Sequence, residues 1–231
     1  MGTQKREQGY SVILLDVDGT LVDSNDAHAA AWVKAFSEAA IPVDPAQVRR
    51  CIGMGGDKLM PTVSGIEEES PLGARIAGRR REIFTGEYLP TLQPFPGASR
   101  LVAALKQRGF TVVAASSAKR DELSALLKVA GAESLLDAST SSDDAEESKP
   151  DPDIIHAAID RAGASSAEAL MIGDTPYDIE AASRAGVQTV AFRCGGWDNE
   201  NLAGALEIHD GPLDLLTKLD SAIGGRLKQA C

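Results

Sequence analysis

The chain has 231 residues, enough for one core domain with a smaller module set into it, and its 43% apolar and 25% charged residues are those of an ordinary soluble globular protein. A formal net charge of −11 excludes a broad nucleic-acid surface, because neutralising that polyanion takes Lys and Arg. Cys51, Cys194 and Cys231 are too few and too scattered for a disulfide framework or a zinc cluster, and no apolar run approaches the roughly 18 residues of a membrane span, so a cytoplasmic protein with no membrane partner is expected.

Met1 to Gly9 is polar, without an apolar signal core, and is read as a disordered or expression-derived end. Tyr10 to Asp16 is a β-rich apolar run that stops at an acidic, Gly-containing loop, the pattern of a buried parallel strand. From Val22 to about Leu92 there are helical patterns and no convincing strand. Helices are expected near His28 to Ala40, Pro45 to Cys51, Lys58 to Val63 and Leu72 to Tyr88, with Pro42, Gly53 and Pro71 as breaks. Four more strands follow, over Phe110 to Ser116, Ser134 to Ser139, Ala169 to Asp174 and Gln188 to Phe192, with helical stretches between them, among them Lys119 to Ala130. This alternation predicts an α/β Rossmann-like core with a parallel sheet and helices on both faces, formed by 10–22 and 93–231, with 23–92 inserted as a small α-helical domain.

In open parallel sheets, ligands bind at the carboxyl ends of the strands, and the unusual polar residues of this chain fall there. Asp16 and Asp18 follow the first strand, Ser116 and Ser117 the second, Lys149 lies in the loop after the third, and Asp174 and Asp178 follow the fourth. Asp16 is assigned to attack on phosphorus and Asp18 to proton transfer, with Gly19 and Thr20 after them allowing a turn that aims the two differently. Four aspartates beside a phosphate dianion need more positive charge than Lys149 carries, which calls for a hard divalent cation, Mg2+, held by Asp16 and Asp174. Ser116 is read as a phosphate contact or a helix N-cap, Ser117 as the better N-cap of the two and a second phosphate contact, and Lys149 as a stabiliser of transition-state charge. Asp178 is read as a support behind the site.

DVDGT at Asp16 to Thr20, Ser116, Lys149-Pro150 and GDTPYD at Gly173 to Asp178 resemble the four motifs of the haloacid dehalogenase-like superfamily, in order and spacing, from Tyr10 to about Phe192. The resemblance implies a helical cap of the type shared by phosphoglycolate phosphatases and β-phosphoglucomutases, and the Asp18 carbonyl as a third protein ligand of magnesium. It also implies hydrolysis of a small phosphorylated metabolite, phosphoglycolate or a sugar phosphate, through an aspartyl-phosphate. Haloacid dehalogenases lack the second aspartate, so Asp18 argues for a phosphate ester.

Three alternatives stay open: a phosphohexose mutase, resembled through His28 and Trp32; a phosphonoacetaldehyde hydrolase, whose MGxxK lysine matches Met54 to Lys58; and a non-catalytic phosphometabolite-binding protein. His28, Gly55 and Lys58 are the specificity candidates. Arg75, Arg79, Arg80 and Arg81 read as a solvated helix face pairing with acids such as Glu82, and Trp32 with Phe36 as cap packing. Monomer and homodimer are equally compatible, with the cap or Gly195-Gly196-Trp197 as a possible contact.

Overall fold

A computed structural model describes residues 9–227 and residue 230. The expectation for Met1 to Gly9 therefore lies outside the described residues, apart from Gly9 itself. Six strands form one parallel sheet in the order β3-β2-β1-β4-β5-β6. They are β1 (Val12–Leu15), β2 (Thr111–Ala115), β3 (Ala138–Thr140), β4 (Ala169–Gly173), β5 (Gln188–Phe192) and β6 (Glu207–His209). The order reverses at β1, whose two sides pair with β2 and β4.

Alternate residues of the central strands go to opposite faces, as a pleated strand requires. Ile13 and Leu15 of β1, Val112 and Ala114 of β2 and Leu170 and Ile172 of β4 join one apolar cluster, with Leu101, Val102 and Leu105 of α5 (Ala98–Gln107), Leu123 and Leu126 of α6 (Arg120–Ala130) and Leu215 of α9 (Pro212–Lys218). Val12, Leu14, Val113, Ala115 and Met171 face the other way, onto Ile154, Ile155 and Ala158 of α7 (Asp153–Ala162) and Ala181 and Ala182 of α8 (Pro176–Arg184).

Between β1 and β2 the chain inserts α1 (Asn25–Glu38), α2 (Pro45–Arg50), α3 (Gly56–Ser64) and α4 (Pro71–Ile83), continued by a π-helical turn over Phe84–Tyr88. The chain leaves and returns side by side: Asp23 N–H donates to the Gln93 carbonyl at 3.1 Å, and Phe95 N–H to that of Leu21 at 2.9 Å. Ile76, Ile83 and Phe84 pack with Ala35 and Phe36 of α1, in the same apolar cluster as the first face of the sheet. No helix among the described residues is long and apolar enough to cross a membrane.

The differences from expectation are local. The third strand is Ala138–Thr140, because Glu133–Leu135 forms a 3-10 turn instead of starting it. β6 was not anticipated. Three residues long and at the sheet edge, it carries no apolar run that would announce it. Lys119, not either serine, is the N-cap of α6 and makes no side-chain cap bond, while the Ser116 hydroxyl accepts from Ala118 N–H at 3.1 Å. Trp197 meets Tyr177 edge-on at 6.2 Å between ring centroids, which places Trp197 against α8.

Candidate active site

Asp16 follows β1 directly and keeps its register, its N–H donating to the Ile172 carbonyl at 2.9 Å. Its buried carboxylate accepts from Lys149 Nζ on Oδ1 at 2.6 Å, and its Oδ2 lies 3.2 Å from Thr20 Oγ1. Gly19, at φ +71°, turns the chain back so that its N–H reaches the Val22 carbonyl at 2.8 Å. A side chain there would strike both Asn25 and Asp174, so the turn is also a close approach. Asp18 consequently points elsewhere. Its Oδ1 accepts from Ser24 Oγ at 2.5 Å and from His28 Nε2 at 2.6 Å.

From β4 the chain delivers Asp174, fully buried, with Oδ1 accepting from Thr20 Oγ1 at 2.9 Å and Oδ2 from Asn25 Nδ2 at 2.9 Å. One turn on, Asp178 Oδ2 accepts from Thr175 Oγ1 at 2.7 Å and Thr175 N–H at 3.0 Å, closing a capping box that starts α8. Its Oδ1 lies 2.7 Å from Lys149 Nζ. Lys149 also donates to the Ala115 carbonyl at 2.8 Å, so its N–H groups serve Asp16 and the end of β2 while its charge also pairs with Asp178.

Asp16, Asp174 and Asp178 each offer an oxygen within 4.8 Å of the others, and Lys149 is the ammonium that touches two of them. Burial, with Asp178 and Asp18 adding to it, pushes the Asp16 carboxyl up to about 8 even against Lys149. Burial and the neighbouring Asp178 and Asp16 likewise raise Asp174. Three buried carboxylates around one ammonium are short of positive charge, and all their donors are hard oxygens; both facts fit a divalent cation such as magnesium. Asp16, Asp174 and Asp178 are the buried carboxylates that come close enough together to hold it.

Asp18 is different. Burial raises its carboxyl, but His28 and the Ser24 hydroxyl outweigh that and hold it below the ordinary value. Arg80 Nη2 stands 2.5 Å from His28 Nδ1, and a guanidinium only donates, so Nδ1 accepts and Nε2 carries the hydrogen turned to Asp18. Arg80 is itself fixed by Glu122 Oε2 at 2.7 Å and lies over the rings of Trp32 and Phe84, at 5.5 and 5.1 Å from their centroids. The chain Glu122–Arg80–His28–Asp18 runs from α6 through the insertion and back to the β1 loop. It borders a cavity of about 570 Å3 lined by Asp16, Asp18, His28, Trp32, Arg80 and Ser116 among others.

Residues 13–192 match the sequence profile of the haloacid dehalogenase-like hydrolase family. The chain belongs to that family. A phosphoglycolate phosphatase of Rhodospirillum rubrum is 31% identical to this hydrolase over 209 residues, covering 86% of each chain. "Probable phosphatase IndB" of Dickeya dadantii is 28% identical over 197 residues, 84% of this chain and 86% of that one. The crystal structure of a hydrolase from Pseudomonas syringae superposes with a TM-score of 0.86 at 31% identity, covering 92% of this chain and 99% of the other.

The hydrolase brings Asp16, Asp18, Ser116, Lys149, Asp174 and Asp178 to one end of the sheet. Ser117 lies on the cavity wall with its hydroxyl buried and unpartnered. Gly55 also lines the cavity, and its N–H donates to Ser148 Oγ at 3.1 Å. Lys58 does not line the cavity. Its ammonium is paired with Glu147 and, at 3.2 Å, with Asp151, which raise its pKa, whereas a Schiff-base lysine needs a readily neutral amine.

Arg80 corrects the reading of the arginine cluster: Arg79 pairs with Glu38 and Glu82 in solvent as expected, but Arg80 turns inward. The signal was available, since position 80 continues the stripe Gly73, Ile76, Ile83 that α4 buries. Ser24, Asn25 and Glu122 were not singled out. In sequence, Ser24-Asn25 reads as an ordinary helix start and Glu122 as an acid in the first turn of α6.

Proposed function

We propose that this hydrolase is a magnesium-dependent phosphatase of a small phosphorylated metabolite, phosphoglycolate or a sugar phosphate, acting through an aspartyl-phosphate on Asp16. It is a phosphoric monoester hydrolase, the class to which its named relatives belong. One observation carries the finer reading: Asp16 and Asp18, two residues apart, occupy opposite electrostatic settings, Asp16 on an ammonium in a carboxylate cluster and Asp18 on a serine and a histidine at the cavity.

In the first step Asp16 attacks phosphorus, the bond from phosphorus to the ester oxygen breaks, and Asp18 gives its proton to the leaving oxygen. In the second, water attacks the phosphoryl group, Asp18 takes the water's proton, and the bond to Asp16 breaks, returning the carboxylate and releasing phosphate. Ser24 and His28 both donate to Asp18 Oδ1, which favours the carboxylate form that the second step requires, so the acid of the first step is the minor form of Asp18 protonated on the free Oδ2. Lys149 offsets charge on Asp16 as it becomes an acyl phosphate, and Ser116 and Ser117 face the phosphoryl oxygens. Asp16, Asp174 and the Asp18 carbonyl would hold magnesium, which supplies positive charge against the buried carboxylates and the phosphoryl group. The insertion, 23–92, acts as a cap that covers the cavity and meets the leaving group. The cavity wall carries Arg81 and Lys119 for a second anion, and the cavity volume accommodates a sugar.

The test is phosphate release from phosphoglycolate, hexose and pentose phosphates, with and without magnesium, beside the Asp16→Asn variant. Release that needs both metal and Asp16 is expected. Turnover retained by Asp16→Asn would remove the covalent mechanism, and metal-independent release would remove the cation.

A further inference from the structure

The first turn of α1 touches both halves of the site at once. His28 reaches Asp18, while Asn25, three residues earlier, reaches Asp174. Asn25 is 2% exposed and uses both amide hydrogens: Nδ2 donates to Asp174 Oδ2 at 2.9 Å and to the Gly195 carbonyl at 3.0 Å. Gly195 is forced to be small here, since any side chain would run into the Asp174 carboxylate. Arg49 of α2 braces the same carbonyl, its Nη2 donating at 2.7 Å while its Nε pairs with Asp26 at 2.6 Å. The Asp174 carboxylate is thus gripped from both sides, by Thr20 on Oδ1 and by Asn25 on Oδ2, and the second grip belongs to the inserted segment rather than to the sheet. The Asn25 Oδ1 atom is buried, with no partner in the protein. A buried amide oxygen left without a hydrogen bond costs free energy, and beside a carboxylate that can hold a hydrated cation it has an evident use, as acceptor for a metal-bound water.

We infer that Asn25 is a positioning residue for the metal centre: it orients Asp174 and, through its free carbonyl oxygen, receives the hydration shell of the cation, so that metal affinity depends on the first turn of α1. The inference rests on the assignment of Asp174 as a metal-holding carboxylate. Orienting partners of this kind typically contribute about 10- to 100-fold in metal affinity. Asn25 also ties that affinity to the docking of the insertion, because the residue that grips Asp174 moves with the helix that carries His28.

The experiment is calorimetric titration of magnesium, and separately of manganese followed by electron paramagnetic resonance, into the whole protein stripped of metal. Wild type, Asn25→Leu, Asn25→Ala and His28→Ala are compared, with circular dichroism and thermal unfolding of each as a check on the fold. Asn25→Leu fills the space without a donor or acceptor, and Asn25→Ala reports should the leucine fail to fold. Expected is a Kd for the cation weakened about 10- to 100-fold in the Asn25 variants and unchanged in His28→Ala, with turnover of the Asn25 variants climbing as metal is raised. Wild-type affinity in a folded Asn25 variant would overturn the inference, and so would a loss of turnover that added metal does not relieve. If the wild-type protein itself binds neither cation, the metal assignment of Asp174 falls, and the inference with it.

Discussion

Two aspartates separated by a single residue acquire different chemistry from their partners. Asp16 is deep in a carboxylate cluster and relies on Lys149, whereas Asp18 is held ionised by hydroxyl and imidazole donors. Asp18→Asn removes proton transfer while leaving the nucleophile, and a fall in kcat of about 10²- to 10⁴-fold is expected from steady-state kinetics. His28→Ala takes away a donor that holds the Asp18 carboxyl down, so that carboxyl rises. The acid limb of the kcat profile, where Asp18 must be ionised to accept water's proton, is expected to move to higher pH, and His28→Gln, which keeps an N–H donor, to restore part of the shift. An unchanged limb in His28→Ala would show that the contact is only structural.

At the scale of elements, the insertion is held to the core by groups that also line or adjoin the site. Ser148, immediately before Lys149, accepts from Gly55 N–H at 3.1 Å and donates to Asp57 at 2.5 Å, so the loop that delivers the lysine also fastens the start of α3. Tyr177 in α8 donates to the Arg50 carbonyl at 2.6 Å, and Gly53 leaves no room for a side chain against Thr175. Removing the Ser148 hydroxyl loosens this seam. With a net contribution of about 1 kcal/mol per hydrogen bond and both bonds lost, Ser148→Ala is expected to raise KM by up to about thirtyfold, with little change in unfolding temperature, because the seam adjoins the cavity and is not part of the sheet's core. Measured KM and thermal unfolding together check this; a large loss of stability with unchanged KM would contradict it.

For the whole molecule, the buried carboxylates couple metal, pH and stability. The folded value of Asp16, about 8, lies above its ordinary value of 3.8, so the folded metal-free protein keeps a proton that the unfolded chain has lost. Between roughly pH 4 and 8 that group therefore lowers stability as pH rises, and Asp174 acts in the same direction. Asp18, held low, works oppositely: its contribution is present above its ordinary value and is lost as pH falls. The metal-free protein is expected to lose thermal stability from pH 5 to pH 8. Magnesium, by stabilising the ionised carboxylates, is expected to raise the unfolding temperature more at pH 8 than at pH 5, as differential scanning fluorimetry would read. Equal metal effects at both pH values would contradict this account of the cluster.

The fold class and the parts of the site that lie next to strand ends were legible in the linear chain. A buried parallel strand is a continuous apolar run and must stop where its backbone meets solvent, so Asp16, Ser116 and Asp174 announce themselves by position. What only the tertiary structure decided is how side chains from distant segments meet. Arg80 and Lys58 are both basic positions on helices between β1 and β2, yet one turns in to His28 and Glu122 and the other out to Glu147 and Asp151, because α4 buries the stripe that contains position 80 while α3 places position 58 at the seam. Asn25 likewise has no local reason to differ from any residue at a helix start. Its role exists because the sheet brings Asp174 and Gly195 from 149 and 170 residues away to its amide, and proximity across such separations is a property of packing, not of local spacing.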